Sequence, residues 1–586
     1  MKKIIIGSLV MAVLGGAGIA GEVQRTSATD KTLENYLKHY PEADSDGDGV
    51  LTAGEHTIYL PQPIMERYGT NGIHRSMTIP LRDGHTLLAE MFFPASGEGP
   101  WPVLLTRAEY GRWREHDIIR GCGTQGFVYV SAGTREWGDR IPAKWTEPES
   151  SLSEQDDGYD VVEWIASQPW SNGRIGTVGG SGHGYAADMM FWANIPHYTV
   201  NGIKNTAGNV KNYWCYHNGV RRGTSYSWIG SRGVPVPKQH LPTLPKEPYD
   251  PEAWRSFMRE RGPQVHTWYF NNTGWFDPMS QGAIDSFEAL QHTGKAFVTV
   301  EPRCHGGIKG LPGNLKKFPI YCTNTVAVAP PSTMELLKGL EPPAGLRSTL
   351  TYFMMGDVLD PTAPGNQNMF THEWPVPHEN IAFYLHANGS LSTNAPSEAD
   401  GSVSYDYDPK HPAPTIGGHH DWGGKSGPWD QRALREREDV LYFVTEPLTD
   451  PFAITGNLSM RLSFSSDARD TEFVVKLVDI YPNGYEFIVR ESAGMGRYHS
   501  GYENPSALEK GQIYELNLDL WSTAIVFNKG HRIGLIVTSS SDKSYEVHPN
   551  TFEQVADYSE SPVAHNTIQC SPDNSSFLVL PMVPVP

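Results

Sequence analysis

Cysteine is scarce in this chain of 586 residues, which holds only five. They are too few and too scattered for a disulfide scaffold, and none stands in the C-x-x-C spacing that binds zinc. The chain is also too long for a single hydrophobic core. The sequence therefore predicts several domains that fold without a disulfide framework or a C-x-x-C zinc site.

Positive charge is sparse as well. The chain has 47 Lys and Arg against 66 Asp and Glu, a net charge of −19, and no basic block concentrates positive potential. Nucleic acids and anionic membranes are poor partners for such a surface. No stretch after the first twenty residues is long and apolar enough to span a bilayer. We therefore expect no nucleic-acid partner and no membrane span in the mature protein.

The first twenty residues have a composition of their own. Lys2 and Lys3 precede an apolar run over 4–19 that glycines interrupt, and Gly18 and Ala20 provide the small residues that signal peptidase accepts. A membrane anchor needs about 20 unbroken apolar residues, and this run is shorter. We expect residues 1–20 to be a signal peptide, cleaved after Ala20, and the mature protein to be secreted or periplasmic.

Residues 21–73 are polar, and a twelve-residue stretch at their centre follows the pattern of an EF-hand calcium loop. Gly49 allows the sharp turn at its sixth position, and oxygen donors occupy the positions that EF-hands use for calcium. The predicted calcium ligands are Asp44, Asp46, Asp48, the carbonyl of Val50, Thr52 and Glu55. The alternative is a solvated acidic turn. We predict a structural Ca²⁺ site and no organic cofactor.

From residue 74 onward, β-rich runs alternate with helical ones. Residues 127–130 have the composition of a buried strand, and residues 158–168 have the periodicity of a helix. This alternation predicts an α/β sheet with parallel core strands over residues 74–340. The stretch 196–264 interrupts it, being irregular and rich in Trp, Tyr, Pro and Arg, and is predicted to form a cap over a site.

After residue 340 the helical periodicity nearly vanishes. Strand-like runs at 458–464, 472–478 and 533–537 recur between Gly, Pro and Asp turns. Residues 341–586 are therefore predicted to form an all-β sandwich.

One segment of the α/β region is typical of a nucleophile elbow, the sharp turn that leads from a strand into a helix. Residues 174–190 form a strand-like run that ends in glycines and is followed at once by helix-forming residues. Glycines suit such a turn, and the helix N-terminus behind it can stabilise an oxyanion. Ser181 follows Gly179 by two residues, but His183 stands where a strict G-x-S-x-G has its second glycine.

Residues 157–179, which lead into this turn, resemble the matching segment of the CocE/NonD hydrolases, the family of cocaine esterase, α-amino acid ester hydrolase and X-Pro dipeptidyl-peptidase. Further motifs resemble the family's in order: Leu105-Thr-Arg-Ala-Glu-Tyr110-Gly its oxyanion tyrosine loop, Gly274-Trp-Phe-Asp277 its triad aspartate loop, and Glu301-Pro-Arg-Cys-His305-Gly its triad histidine loop.

The resemblance continues to about residue 584, with motifs such as 439–448 and 477–484 that resemble the family's C-terminal domain. It implies an α/β-hydrolase core, a helical cap and a C-terminal jelly-roll. The chain departs from the family where the nucleophile is expected. For the family's Gly-x-Ser-Tyr-x-Gly this chain reads Gly182-His183-Gly184-Tyr185-Ala186-Ala187, so Gly184 is assigned to the usual serine position.

Three interpretations remain open. In the first, Ser181 is the nucleophile of a shifted elbow, His305 takes its proton, Asp277 orients the imidazole, and Tyr110 with the backbone N–H of Tyr185 stabilises the oxyanion. The reaction is then acyl transfer from a small ester, amide or peptide substrate to water. A packed serine at the end of a strand is the structural alternative.

In the second interpretation, His183 works with Asp277 and His305 to activate water, since histidine is suited to acid–base chemistry near neutral pH. In the third, the chain is an inactive pseudo-hydrolase that binds a small ligand or glycan. The preferred prediction is an exported hydrolase of ester or amide bonds with a serine-hydrolase-like mechanism.

Overall fold

The computed structural model describes residues 26–44, 47–52, 74–94, 96–108, 112, 118, 121–122, 125–134, 151–209, 211–223, 225, 249–305, 329–360, 362–419, 426–553 and 561–586. The chain divides into two compact units, Met1–His56 and Thr57–Pro586. The predicted signal peptide lies outside the described residues.

The first unit contains one helix, α1 (Lys31–His39), among its described residues, followed by a 3₁₀ turn at Pro41–Ala43. Glu34 lies in the first turn of α1 and pairs with Lys38 one turn later at 2.7 Å, an arrangement that stabilises a short helix. Leu33 and Leu51 are buried, and the Leu51 carbonyl accepts a hydrogen bond from the Ser27 N–H at 2.7 Å. The segment after the helix is thus folded back beside the segment before it.

The second unit begins with a mixed sheet. Its strands are β1 (His74–Pro80), β2 (Thr86–Phe92), β3 (Trp101–Ala108), β4 (Val128–Gly133), β5 (Ser171–Gly180), β6 (Tyr198–Lys204), β9 (Trp268–Phe276), β10 (Ala296–Cys304), β11 (Thr349–Met354) and β12 (Gln367–Thr371). A separate small hairpin is formed by β7 (Tyr216–His217) and β8 (Val220–Arg221).

The order across the sheet is β1-β2-β4-β3-β5-β6-β9-β10-β11-β12. The seven strands from β4 to β11 are parallel. At the edges, β2 is antiparallel to β4, β1 is antiparallel to β2, and β12 is antiparallel to β11. Strands β4 and β11 are buried along their whole length, as expected for parallel strands that are covered on both faces.

Helices connect these strands. They are α2 (Ser151–Ala166), α3 (Gly182–Phe191), α4 (Pro251–Arg261), α5 (Ser280–Leu290) and α6 (Thr333–Leu337). The sequence defines where α4 begins, because Pro251 stands at its start and the Asp250 side chain accepts the Ala253 N–H at 2.8 Å. Helix α3 is buried over most of its length, so it packs as a core element directly behind β5.

The region 196–264, predicted to be a cap, is not a single unit in the structure. Its first part, 198–204, is the core strand β6, whose polar Asn201 and small Gly202 conceal the strand pattern in the sequence. The described remainder consists of a π-helical turn at Lys211–Cys215, the β7–β8 hairpin and α4. Residues 226–248 of the predicted cap lie outside the described residues.

The C-terminal strands form two antiparallel sheets. They are β13 (Glu379–Leu385), β14 (Leu391–Ser392), β15 (Ser402–Tyr407), β16 (Leu441–Val444), β17 (Phe452–Ser466), β18 (Glu472–Ile480), β19 (Glu486–Met495), β20 (Tyr514–Phe527), β21 (Arg532–Thr538), β22 (Ala564–Gln569) and β23 (Phe577–Val583). One sheet has the order β14-β13-β23-β17-β22-β15 with β20 also paired to β17, and the other has the order β16-β21-β18-β19.

The two sheets share a core, in which the rings of Phe464 on β17 and Phe473 on β18 lie 4.5 Å apart between centroids. The predicted combination of an α/β-hydrolase core and a C-terminal β-sandwich is confirmed. The α/β sheet continues past the predicted boundary at residue 340, because β11 and β12 join its edge. No helix among the described residues is long and apolar enough to cross a membrane.

A buried histidine between two carboxylates links the α/β sheet to the sandwich. His531, just before β21, contacts Asp479 of β18 at 2.8 Å through Nδ1 and Asp357, in the loop between β11 and β12, at 3.2 Å through Nε2. Burial alone would lower the pKa of His531, but its hydrogen bonds to the two carboxylates and their negative charges outweigh burial and raise the pKa to about 9. His531 is therefore a charged group that joins the two domains.

We predict that this charge makes stability depend on pH. A histidine whose folded pKa is raised above its usual value stabilises the fold below about pH 6.5, and this contribution is lost as the pH rises through 9. The wild type should have a larger free energy of unfolding than His531→Gln at pH 6. This difference should fall by about 2–3 kcal/mol between pH 6 and pH 9.5, and urea denaturation of both proteins measures it.

The control is the exposed pair of His565 and Asp406, 2.7 Å apart. His565→Gln should change the free energy of unfolding by less than about 0.5 kcal/mol at either pH. A wild-type excess over His531→Gln that stays constant across this pH range would contradict the charged state of His531.

Candidate active site

The acid–base pair of the site follows from the register of two parallel strands. Phe276 at the end of β9 pairs with Cys304 at the end of β10. The next residues are Asp277 and His305, and the structure joins them with His305 Nδ1 2.8 Å from Asp277 Oδ2. A carboxylate can only accept, so His305 donates through Nδ1 and turns Nε2 away from the aspartate.

The surroundings fix the aspartate more firmly than the histidine. Asp277 is fully buried, and its second carboxylate oxygen accepts the Met279 N–H at 2.9 Å. The His305 side chain keeps 14% of its exposure. The pair therefore presents one imidazole edge toward the end of the sheet while the carboxylate stays locked behind it.

The turn between β5 and α3 is a sharp strand-to-helix turn with Ser181 at its tip. Strand β5 ends at Gly180 and α3 begins at Gly182. Ser181 lies between them with φ 56° and ψ −126°, a conformation that side-chain-bearing residues rarely adopt. This is the strained geometry that holds the serine of a nucleophile elbow clear of the backbone.

The expectation that Gly184 occupies this position is wrong. Gly184 lies inside the first turn of α3, three residues beyond the tip. A Cβ there would stand 2.8 Å from Thr206 Cγ2, and a Cβ on Gly179 would stand 2.7 Å from the His183 carbonyl carbon. Real Cβ atoms essentially never come that close, so both glycines allow the helix to begin tightly against the sheet.

Ser181 and His305 lie at the same end of the sheet. The Ser181 N–H donates to the carbonyl of Lys204, the last residue of β6, at 3.1 Å. The next residue, Asn205, donates through Nδ2 to the His305 carbonyl at 2.7 Å. Two hydrogen bonds and one peptide bond therefore connect the serine turn to the histidine loop.

The structure does not place Tyr185 and His183 in the roles predicted for them. The N–H of Tyr185 donates to the Ser181 carbonyl at 2.8 Å, as the first hydrogen bond of α3, so it does not face an oxyanion as expected. His183 is buried in the first turn of the helix. Tyr110 lies outside the described residues, and its role stays a prediction.

A buried polar network holds α3 on the sheet behind the turn. Asn201 of β6 donates to Asp188 of α3 at 3.2 Å, and its amide oxygen accepts the hydroxyl of Tyr198 at 2.9 Å. Burial raises the pKa of Asp188 to about 7, against the opposing effect of hydrogen bonds from Tyr269, Asn201 and the Gly208 backbone. This network keeps the helix in register with β6.

Arg222, which directly follows β8, supports the aspartate loop from the other side. Its guanidinium is buried and donates to the carbonyls of Tyr213 at 3.1 Å, Pro278 at 3.0 Å and His419 at 3.0 Å. Pro278 directly follows Asp277, and His419 belongs to the C-terminal domain. The sequence gives no sign of this role for Arg222, because two of its three partners, Pro278 and His419, are distant in the chain.

The predicted calcium loop lies in the first unit, and its described part is well formed. Asp44 accepts the N–H of Gly47 through Oδ1 at 2.8 Å and that of Gly49 through Oδ2 at 2.7 Å, while Asp48 accepts the Val50 N–H at 2.7 Å. Asp46 and Glu55 lie outside the described residues. The calcium site therefore stays a prediction, as does the role of Thr52.

Taken together, the mixed sheet, the strained serine turn and the histidine–aspartate pair define a protein of the α/β-hydrolase class. Residues 83–239 match the X-Pro dipeptidyl-peptidase (S15 family), and residues 349–579 match the X-Pro dipeptidyl-peptidase C-terminal non-catalytic domain. The chain is 28% identical to the cocaine esterase of Rhodococcus sp. (strain MB1 Bresler) over 600 aligned positions, which cover 88% of this chain and 99% of the esterase.

Solved structures share the fold. An aminopeptidase from a marine sediment archaeon, Thaumarchaeota archaeon, superposes with a TM-score of 0.68 at 19% identity, covering 90% of this chain and 98% of its own. An α-amino acid ester hydrolase superposes with a TM-score of 0.65 at 21% identity, covering 88% and 97%. The chain belongs to the CocE/NonD family of hydrolases. Membership supports an ester or peptide hydrolase of the serine type.

We predict that placing a serine at position 184 damages the fold and supplies no nucleophile. Gly184→Ser should lower the free energy of unfolding by about 1–3 kcal/mol, because its Cβ overlaps Thr206. Gly184→Ala should cost about the same, since the clash comes from Cβ and not from the hydroxyl. Urea denaturation measures both.

Thr206→Ala provides the control, because it removes the methyl group that lies 2.8 Å from the added Cβ. The double variant Gly184→Ala/Thr206→Ala should lose less stability than the sum of the two single changes. If Gly184→Ser is as stable as the wild type, the close packing of α3 against Thr206 is incorrect.

Proposed function

We propose that the protein is a serine hydrolase that transfers the acyl group of an ester or amide substrate, peptides included, to water, with Ser181 as the nucleophile. The conformation of Ser181 carries this proposal. A serine held at φ 56° and ψ −126° at a strand-to-helix turn is strained, and such strain persists where the surrounding structure imposes it, often at functional sites.

The reaction uses three side chains in sequence. His305 accepts the Ser181 proton through Nε2 as the hydroxyl oxygen attacks the carbonyl carbon, and Asp277 stabilises the imidazolium through Nδ1. His305 then gives the proton to the leaving alcohol or amine, which leaves an acyl-serine. A water then gives a proton to His305 and attacks the acyl carbon. His305 passes that proton to the Ser181 oxygen as the bond between this oxygen and the acyl carbon breaks, which releases the acid and restores the serine.

The oxyanion needs donors at the same turn. In nucleophile elbows the N–H of the residue after the nucleophile provides one, which is Gly182 here, at the start of α3. The positive end of the helix dipole supports the same charge. We keep Tyr110 as the second donor, on the strength of its motif.

The two other interpretations have less support. His183 is buried in the first turn of α3, whereas water activation needs a histidine that reaches substrate. The pseudo-hydrolase hypothesis rested on a glycine in place of the serine, but Gly184 is a packing position and Ser181 occupies the turn.

The relatives indicate the range of substrates. Their names describe a cocaine esterase, an α-amino acid ester hydrolase and an aminopeptidase. We propose that the substrate is a small ester, amide or peptide, and simple activated esters are the first to test.

We predict that a fluorophosphonate probe labels the purified protein at Ser181, because the reagent reacts only with an activated serine. Peptide mapping by mass spectrometry identifies the site. Ser181→Ala should abolish labelling and ester hydrolysis, and His305→Gln should slow both by at least about 10³-fold.

Ser332 is the matched control, since it also precedes a helix but caps that helix by contacting Glu335. Ser332→Ala should label and hydrolyse as the wild type does. A folded wild type that neither labels nor hydrolyses activated esters would favour the pseudo-hydrolase, and hydrolysis that survives Ser181→Ala would favour a histidine mechanism.

We also propose that the chain is exported and that its first unit binds Ca²⁺. The N-terminal run after Lys2 and Lys3 supports export. The backbone around Asp44 supports the calcium loop, since N–H groups orient both carboxylate oxygens of its first ligand. Extracellular calcium modules bind with Kd of about 10⁻⁴–10⁻³ M, so a weak site is sufficient outside the cell.

We predict that isothermal titration calorimetry of the full chain detects one Ca²⁺ with a Kd of about 10⁻⁵–10⁻³ M. Asp44→Asn should weaken binding at least about tenfold, because it removes one carboxylate ligand. Glu34→Gln, which changes an exposed acid of the same unit outside the loop, should leave binding unchanged. No calcium-dependent heat from the wild type would rule out the site.

A further inference from the structure

Asn205 lies between the serine turn and the histidine loop, where it makes hydrogen bonds to two strands, β9 and β10. It follows β6 directly and has φ 51°, a left-handed conformation that asparagine tolerates better than most residues. Its N–H donates to the carbonyl of Asn272 on β9 at 2.8 Å. The backbone of Asn205 is therefore fixed against the neighbouring strand.

The side-chain amide of Asn205 is fixed at both atoms. Its Nδ2 donates to the His305 carbonyl at 2.7 Å, and its Oδ1 accepts from Arg303 Nη1 at 2.7 Å. A guanidinium can only donate and a carbonyl can only accept, so only one orientation of the amide satisfies both partners. Arg303 thus directs the amide N–H toward His305.

Arg303 is itself held in place. It contacts the side chains of Glu301 and Asn272, and its side chain is only 12% exposed. Water competes little with hydrogen bonds at such a site. The chain of contacts from Arg303 through Asn205 to the His305 backbone is therefore rigid.

The residue before Asn205 is hydrogen-bonded to the serine turn. The carbonyl of Lys204, which is bonded covalently to Asn205, accepts the Ser181 N–H at 3.1 Å. We propose that Asn205 is a positioning residue that sets the distance between Ser181 and His305 by holding the backbone of both. This inference rests on the proposed function, because it assigns Asn205 to the reaction of that serine and histidine.

The chemistry explains why such a residue matters. Proton transfer from Ser181 to His305 needs a short, well-aligned contact, and a misplacement of about 1 Å can cost about 10²-fold in rate. The Asn205 side chain makes its hydrogen bonds to the His305 carbonyl and to Arg303, and not to the Ser181 hydroxyl or the His305 imidazole. Its loss should therefore slow the chemical step and leave substrate binding nearly unchanged.

The test is Asn205→Asp, which keeps the shape of the side chain. Its carboxylate still accepts from Arg303, but it opposes the His305 carbonyl with an oxygen where the wild type has a donor. We expect kcat for an activated ester to fall about 10–100-fold while KM stays within about threefold, and fluorophosphonate labelling of Ser181 to be slower but complete. Asn205→Gly, which suits the positive φ but lacks the amide, should show the same pattern.

Asn194 provides a closely matched control at the opposite end of β6. It also has a positive φ, 53°, and its amide donates to the Gln264 carbonyl at 3.1 Å and accepts the His266 N–H at 3.3 Å. Asn194→Asp makes the same chemical change far from the reacting groups. It should lower the thermal stability about as much as Asn205→Asp does, with kcat within twofold of the wild type.

The outcomes separate the two proposals. A wild type that is active and labelled at Ser181, with Asn205→Asp within twofold of its kcat, overturns the role of Asn205 alone. An equal fall of kcat in Asn194→Asp overturns it too, because the effect is then one of general stability. A folded wild type with no hydrolysis and no label overturns the proposed function and this inference with it.

Discussion

The close approach of α3 to the ends of β5 and β6 is the constraint on which the site depends. Glycine at 179 and 184 lets the helix begin against the sheet, since a Cβ at either position would overlap its neighbours. Ser181 is then forced into a strained conformation that costs about 1–3 kcal/mol. The hydrogen bonds of the Ser181 and Tyr185 N–H groups, each worth about 1 kcal/mol, offset part of that strain. Two glycines thereby allow the strained turn at the residue that lies between them.

The loop that carries Asp277 contacts the C-terminal domain through Arg222. The family model that matches this domain describes it as non-catalytic. Arg222 connects the Pro278 carbonyl, beside Asp277, to the His419 carbonyl of the sandwich. Burial lowers the pKa of Arg222 and makes its hydrogen bonds harder to replace by water. The sandwich thus supports the aspartate loop from behind, and His531 adds a second, charged connection to the α/β sheet. These contacts are structural.

Sequence patterns predict which strands, turns and loops form the site, but they predict less well which residue stands at the tip of the turn. The fold class and the loops of Asp277 and His305 could be predicted from their resemblance to the family's motifs. The structure brings the two side chains together at 2.8 Å, because the loops follow neighbouring parallel strands. The sequence pattern places the turn three residues too late, because the family's Ser-Tyr pair aligns with Gly184 and Tyr185. Only the backbone conformation distinguishes that position from Ser181. Side-chain partners far apart in the chain, such as those of Arg222, leave no local pattern.

The glycine that first suggested an inactive protein has the opposite significance in the folded chain. If Gly184 carried a side chain, α3 could not approach Thr206, and the turn that strains Ser181 would relax. A serine that only packs at the end of a strand has no need of that strain. The strained serine lies at the same end of the sheet as a histidine whose Nδ1 is held by a buried aspartate, and the backbone of that histidine is connected to the serine turn through Asn205. Gly184 is therefore part of the close packing behind the turn that carries Ser181.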